Sequence, residues 1–327
     1  MVNTHAKQYD VIIVGAGPTG LACAIEAHKV GLSYVVIEQG GITDAIRRFP
    51  VNMTFFSTPE LLALDNLPFT TTHLRPTRAE ALQYYRNVVT YYGLHLMLHT
   101  MVHSIQRMPE GVFSVETARA TIRAQRVIVA TGYFDATNRL DVEGEDLPHV
   151  SHYYDEPFRY ALCDVVVVGG RNSAVEAALD LWRHGARVTL VHRKPELGLS
   201  VKYWIRPDIE NRIKYGEIAA RFNTVVQRIE PHAVHVQNLE TRKQEVLAAD
   251  FVFLLIGYRP DERLLRSAGV ELSGNLIPVY NPETFETNVP GLYVAGSVLC
   301  GCETWSIFIE NGRNHAKPII EHIRKTL

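Results

Sequence analysis

Twice in this 327-residue chain a short strand-like apolar run enters a glycine turn that opens onto a helix-patterned stretch. No other feature constrains the fold as strongly, because a buried parallel strand feeding a helix through such a turn commits the chain to βαβ winding. In the first copy Tyr9 to Val14 is the strand, Gly15-Ala16-Gly17-Pro18-Thr19-Gly20 the turn, and Leu21 to Val30 the helical stretch. Gly15 permits the tight turn, Gly17 lets a pyrophosphate approach the backbone, and Gly20 lets the helix pack closely on the sheet, with phosphates at the positive helix end. The next strand, Ser33 to Ile37, ends in Glu38, 18 residues beyond Gly20. A carboxylate at that spot accepts hydrogen bonds from ribose hydroxyls.

In the second copy Val165 to Val168 is the strand, Gly169-Gly170-Arg171-Asn172-Ser173-Ala174 the turn, and the helix runs to His184. Its next strand, Ala186 to Val191, ends not in an acid but in His192-Arg193-Lys194. A carboxylate would repel a ribose 2′-phosphate, whereas Arg and Lys can pair with it. The difference in sign assigns an unphosphorylated ribose to the first copy and NADPH to the second. Read without a ligand, the three cations are a solvated surface turn. Arg171 replaces the second glycine of the fingerprint, so the loop either keeps its backbone farther from the pyrophosphate or contacts it through the guanidinium.

Further strand-and-turn segments are Arg126 to Gly132, which contains Ala130-Thr131-Gly132, then Asp250 to Gly257, and Gly291 to Ser297 with Gly296 at its turn. Cys300-Gly301-Cys302 and a final helix near Ile307 to Arg324 follow, and Val142 to Asp146 reads as a link between domains. The expected fold class is α/β with two Rossmann-like, doubly wound, three-layer domains. Residues 1–149 and 258–327 form the first, and 150–257 form a second inserted into it. A composition of 46% hydrophobic and 21% charged residues suits two buried cores, and a net charge of −2 gives no sign of nucleic-acid or membrane binding. No apolar run approaches the roughly 20 residues that span a bilayer, and Met1 to Gln8 leads into a strand rather than a signal peptide. Four cysteines without framework spacing fit a reducing compartment, so a cytoplasmic location is expected.

Taken in order over nearly the whole chain, these motifs resemble the low-molecular-weight thioredoxin reductase superfamily of flavoproteins. Within it, Thr54-Phe55-Phe56-Ser57, Tyr84-Tyr85-Arg86, Ala130-Thr131-Gly132-Tyr133, Gly169 to Ala174 and Ile307-Phe308-Ile309-Glu310-Asn311-Gly312 are similar to the bacillithiol disulfide reductase family, also called YpdA. The resemblance implies FAD in the first domain, hydride transfer from NADPH to the flavin, and delivery of two electrons to a small-molecule disulfide such as bacillithiol disulfide or to a small redox protein. It also implies a homo-oligomer, dimer or tetramer, and no metal. The candidate cofactor contacts are Gly15, Gly17, Pro18, Thr19, Gly20, Glu38, Gln39, Val102, Ala130, Thr131, Gly132, Gly296 and Ser297 for FAD. For NADPH they are Gly169, Gly170, Arg171, Asn172, Ser173, Ala174, His192, Arg193, Lys194 and Gly257.

Three departures limit the transfer. Thioredoxin reductases hold a Cys-x-x-Cys pair where this chain has Val150-Ser151-His152-Tyr153-Tyr154-Asp155, so thioredoxin reduction through that dithiol is excluded. Many bacillithiol disulfide reductases have a cysteine where Thr19 stands, and thioredoxin reductases an aspartate where Ser297 stands. Of the cysteines present, Cys23 and Cys163 read as packing residues. Cys300 and Cys302 are either a strained local redox pair or two small residues in a tight loop. Glu310 and His315 are either proton-handling groups or helix-surface residues. Three other activities remain open to a pair of Rossmann domains: a ferredoxin or flavodoxin NADP reductase, a flavin monooxygenase, and a non-enzymatic flavin sensor. Against the first stands a chain end at Leu327 soon after the last helix; against the second, the lack of a monooxygenase linker motif around Leu147 to Tyr154.

Overall fold

The computed structural model describes residues 8–304 and 306–327; Met1 to Lys7, read above as a lead into the first strand, lie outside the described residues. The chain divides into two compact units, one of Met1–Arg47, Thr54–Ala136 and Tyr258–Leu327, the other of Arg48–Met53 and Thr137–Gly257.

The first unit starts with β1 (Gln8–Val14), α1 (Pro18–Lys29) and β2 (Tyr34–Ile37). Helix α2 (Arg78–Tyr92) leads to β3 (Leu96–Met97), β4 (Val102–Arg107), β5 (Phe113–Thr117) and β6 (Thr121–Val129). One sheet runs in the order β3-β2-β1-β6-β5-β4. Strand β6 pairs antiparallel with β5 through its first half, and parallel with a strand from the far end of the chain through its second half. That distant strand is Leu292–Val294. The split puts Val14, Val129 and Val294, each followed by a turn of small residues, side by side at the carboxyl ends of three parallel strands. Ile12 and Val14 belong to a core with Ile105, Phe113 and Val115 from the β4 to β6 meander, while Val11 and Ile13, on the opposite face, are also fully buried. Alternation at period two, apolar on both faces, is what a covered parallel strand requires.

The second unit repeats the plan with β7 (Val150–Ser151), β8 (Asp164–Val168), α3 (Asn172–Arg183), β9 (Arg187–Val191) and β10 (Ala219–Arg221). A three-stranded meander, β11 (Thr224–Glu230), β12 (Ala233–Asn238) and β13 (Gln244–Ala248), precedes β14 (Phe251–Leu254). The parallel sheet runs β10-β9-β8-β14-β7. Val165 and Val167 pack with Ala174, Val175 and Ala178 of α3, and Val166 and Val168 with Val226, Val234 and Val236 of the meander. The unit is therefore a helix layer, a parallel sheet and an antiparallel sheet. After Leu292–Val294, here β15, the chain ends in α4 (Ala316–Thr326).

The expected link at Val142 to Asp146 needs correction. Glu143 bridges to Arg228, a side chain on Gly144 would overlap the Ile229 carbonyl, and the buried Glu145 carboxylate accepts from Leu140 N–H at 3.0 Å and Asp141 N–H at 2.8 Å. The segment is packed on β11, and the division falls at residue 137 rather than 150. Among the described residues no helix is long and apolar enough to cross a membrane.

Candidate functional site

The first glycine turn leaves β1 with Gly15 at φ +107, where a side chain would lie 2.6 Å from the Ala130 carbonyl. A side chain on Gly20 would overlap the carbonyl of Gly15, so α1 can start against the turn only with glycine there. Gly17 caps α1 in extended backbone with no side-chain cap, Pro18 takes the first helical turn without an N–H to satisfy, and nothing lies within 4 Å of where Gly17 would carry a side chain. The positive helix end is thus left open. Glu38 follows β2 and holds the turn: Ala16 N–H donates to Oε2 at 2.8 Å and Gly40 N–H to Oε1 at 2.9 Å. Burial raises its carboxyl above the ordinary range, these two N–H groups work against that, and Asp44 and Asp135 add to it. Gln39 is exposed. Thr100 N–H donates to the Glu38 carbonyl at 2.8 Å, bringing Val102 to the same edge, half-buried against the core.

The turns after β6 and β15 meet this loop. A side chain on Gly132 would lie 3.3 Å from Ser297 Oγ, and one on Gly296, itself at φ +74, 2.7 Å from Thr19 Oγ1. Gly312 closes the other side, its missing side chain 3.1 Å from the same hydroxyl. Thr19 is thus seated between two glycines. His315, just before α4, accepts the Gly296 N–H on Nδ1 at 3.1 Å and stacks on Phe285 with centroids 4.4 Å apart. Burial pushes its pKa down to about 4, leaving it neutral at pH 7. Glu310 accepts a hydrogen bond from Ser57, and Arg313 donates to the carbonyls of Glu60, at 3.0 Å, and Ala63. Ser57 and Gly312 lie in quoted motifs without having been singled out; Arg313 and Phe285 carry no sequence signal.

At the second turn a side chain on Gly169 would lie 2.5 Å from the Leu255 carbonyl, which joins the turn to the end of β14. Gly257 follows, and Asn138 N–H donates to its carbonyl at 3.0 Å. Helix α3 again begins without a side-chain cap, at Arg171. Ser173 is exposed and Ala174 buried. Of the three expected cations only Arg193 and Lys194 are exposed. His192 lies directly over Gly170, and burial, followed by Arg193, Lys194 and Arg171, holds it below the ordinary histidine range. The ring packs on the turn, where a fourth positive charge beside Arg193, Lys194 and Arg171 would be both desolvated and repelled. Asn172 is engaged elsewhere: its Nδ2 donates to the Ser200 carbonyl at 2.9 Å and its Oδ1 accepts from Lys202 N–H at 2.8 Å.

In the stretch where thioredoxin reductases keep their dithiol, Ser151 Oγ closes a turn with Tyr153, donating to its carbonyl at 2.7 Å and accepting its N–H at 3.1 Å. The buried Tyr154 donates to Asp180 at 2.7 Å. Cys23 is fully buried and its thiol is pushed up to about 12, as a packing residue's should be. Cys163 is half-buried; Cys300 is buried and Cys302 exposed, both as thiols. Among the described residues no group of three or more His, Cys, Asp or Glu side chains is placed to hold a metal.

Two Rossmann units, each with a glycine turn at the open end of a parallel sheet, define a dinucleotide-binding protein. Residues 12–296 match the pyridine nucleotide-disulphide oxidoreductase family, whose members use FAD and NADPH. The chain belongs to that family and, within it, to the group of Bdr (YpdA). It is 40% identical over 319 residues to bacilliredoxin reductase Bdr of Bacillus subtilis, covering 97% of this chain and 98% of the relative. Bacillithiol disulfide reductase Bdr (YpdA) from Bacillus cereus matches with a TM-score of 0.95 at 38% identity, over 98% of this chain and 100% of the other. The Staphylococcus aureus enzyme of the same name matches with a TM-score of 0.94 at 35% identity, over 98% and 99%.

Proposed function

We propose that this protein is an NADPH-dependent, FAD-containing reductase of a low-molecular-weight disulfide such as bacillithiol disulfide. The observation that carries the reading is the reversal of charge between the two turns: buried Glu38 with Asp44 and Asp135 nearby at the first, exposed Arg193 and Lys194 with Arg171 at the second. FAD suits the first turn, where α1 opens without a cap and Gly17 leaves room for a phosphate. The carboxylate of Glu38 keeps further acceptor capacity for ribose hydroxyls, and repels a 2′-phosphate. NADPH suits the second, with Arg193 and Lys194 pairing the 2′-phosphate. When bound, the flavin supplies the redox chemistry, taking hydride from NADPH and passing two electrons to the disulfide.

The chain's own part is to hold and orient. Ser297, facing Gly132, is the hydroxyl available to the flavin ribityl chain where relatives of the thioredoxin reductase type use a carboxylate. His315, uncharged and tied to Gly296 N–H, fixes the turn that carries Ser297. A second acceptor class, a small redox protein, is favoured by the printed name of the Bacillus subtilis relative, a bacilliredoxin reductase. Unpaired cysteines fit a cytoplasmic location, and family resemblance a homodimer. The test is anaerobic stopped-flow absorbance of the yellow protein mixed with NADPH or NADH, then with bacillithiol disulfide. Fast bleaching by NADPH and recovery of colour on adding the disulfide support the reading; bleaching without recovery keeps the flavoenzyme and overturns the acceptor.

A further inference from the structure

Residues 197–206 cross the second glycine turn without forming regular structure along most of their length, yet they are held at several points. Gly198 N–H donates to the Gly170 carbonyl at 2.8 Å, and Arg206 Nη2 to the Gly198 carbonyl at 2.6 Å. Leu197 and Val201 are buried in the core of the second unit, while Leu199 between them is 92% exposed. Lys202, itself buried, pairs with Glu176 of α3. A further tie is the bidentate carboxamide of Asn172, whose donor end meets the Ser200 carbonyl and whose acceptor end meets Lys202 N–H. This pattern fixes the orientation of the amide, since turning it over would set donor against donor and acceptor against acceptor. A side chain on Gly198 would lie 3.2 Å from both Arg171 Cγ and the Gly170 carbonyl, so the strap lies flush against the turn and against the stem of Arg171.

We infer that Asn172 is a positioning residue for the pyridine nucleotide: it clasps the 197–206 strap to the second glycine turn, and the clasped strap fixes Arg171 and the turn in the geometry that binds NADPH. The inference rests on the reading of this turn as the NADPH turn. Asn172 then acts through the strap and not by touching the phosphates, although its place in the fingerprint suggests direct contact.

The experiment uses the full-length protein with its flavin. Asn172→Ala removes both bonds and is expected to raise the KM for NADPH by about tenfold, the effect of one or two net hydrogen bonds, with kcat at saturating NADPH changed by less than about twofold. Trypsin cleavage after Lys202 should accelerate in the same variant, which reports release of the strap independently of turnover. Gly198→Ala keeps the carboxamide and crowds the strap against the Gly170 carbonyl and the Arg171 stem, so it should shift both readouts in the same direction, by a smaller amount, even if Asn172→Ala proves insoluble. An unchanged KM in the folded variants, or a fall in kcat with KM unaltered, overturns the clasp. Wild-type protein that NADPH fails to bleach overturns the nucleotide assignment instead, so the two failures are distinguishable.

Discussion

His315 shows how one buried side chain sets a pH dependence. Its Nδ1 is the acceptor for Gly296 N–H, so replacing it with alanine leaves that N–H without a partner and should cost about 1–2 kcal/mol at pH 7.5. The folded-state pKa lies near 4, below the ordinary 6.5, so the unfolded chain binds the proton more readily. The wild type therefore keeps its full advantage above pH 6.5 and loses it as the pH falls toward 4, and the gap to His315→Ala in urea melts should narrow over that interval. At this scale the sequence was readable where a residue acts through its own backbone turn. Gly15 and Gly20 sit where a side chain would strike nearby backbone. It was unreadable where burial or a distant contact decides: His192 looks like a cation until the ring is found over Gly170, and nothing near Asn172 in the chain points to Ser200 or Lys202 as its partners.

The most completely signalled element is α2. Thr77 caps it in extended backbone, its hydroxyl accepting Glu80 N–H at 3.3 Å while Glu80 accepts Thr77 N–H at 2.8 Å, and Gly93 ends it in left-handed backbone. Thr77→Ala should lower stability by about 1 kcal/mol in a urea melt. Hydrogen bonds from Thr71, then Thr77, pull the Glu80 carboxyl down to about 2. A folded pKa below the unfolded 4.5 contributes stability above pH 4.5 that is lost as the pH falls toward 2, so the advantage of wild type over Glu80→Gln should be smaller at pH 4 than at pH 6. Strands were legible for a related reason: the unbroken valine run of β8 says that both faces are covered, and Val165 and Val166 do face different cores. Val142 to Asp146 reads in sequence as a link, whereas Glu145 is turned inward to hold two backbone N–H groups and the segment packs on β11.

Across the whole molecule the two units share a plan, down to the valine that precedes each glycine turn and the meander that covers its face of the sheet. What separates them is sign. Reversing the second turn with Arg193→Glu and Lys194→Glu should lower kcat/KM for NADPH by more than about tenfold and leave that for NADH much less affected, since only NADPH presents a phosphate to the lost pairs; steady-state kinetics with both nucleotides reads this directly. Duplication and sign were both legible because they are written in short contiguous motifs. The parallel pairing of β15 with the end of β6 was not, since it joins residues more than half the chain apart. That pairing brings Gly296 to Thr19. Position 19, near one end of the chain, consequently sits in a socket whose walls come from the other end and whose size suits a small side chain. A cysteine is no larger than the threonine that fills it, whereas a leucine would force two backbones apart. The reactivity of this position can therefore change by a single exchange while its shape stays the same, so a chain of this architecture can lose or regain a thiol beside its first nucleotide turn without refitting anything around it.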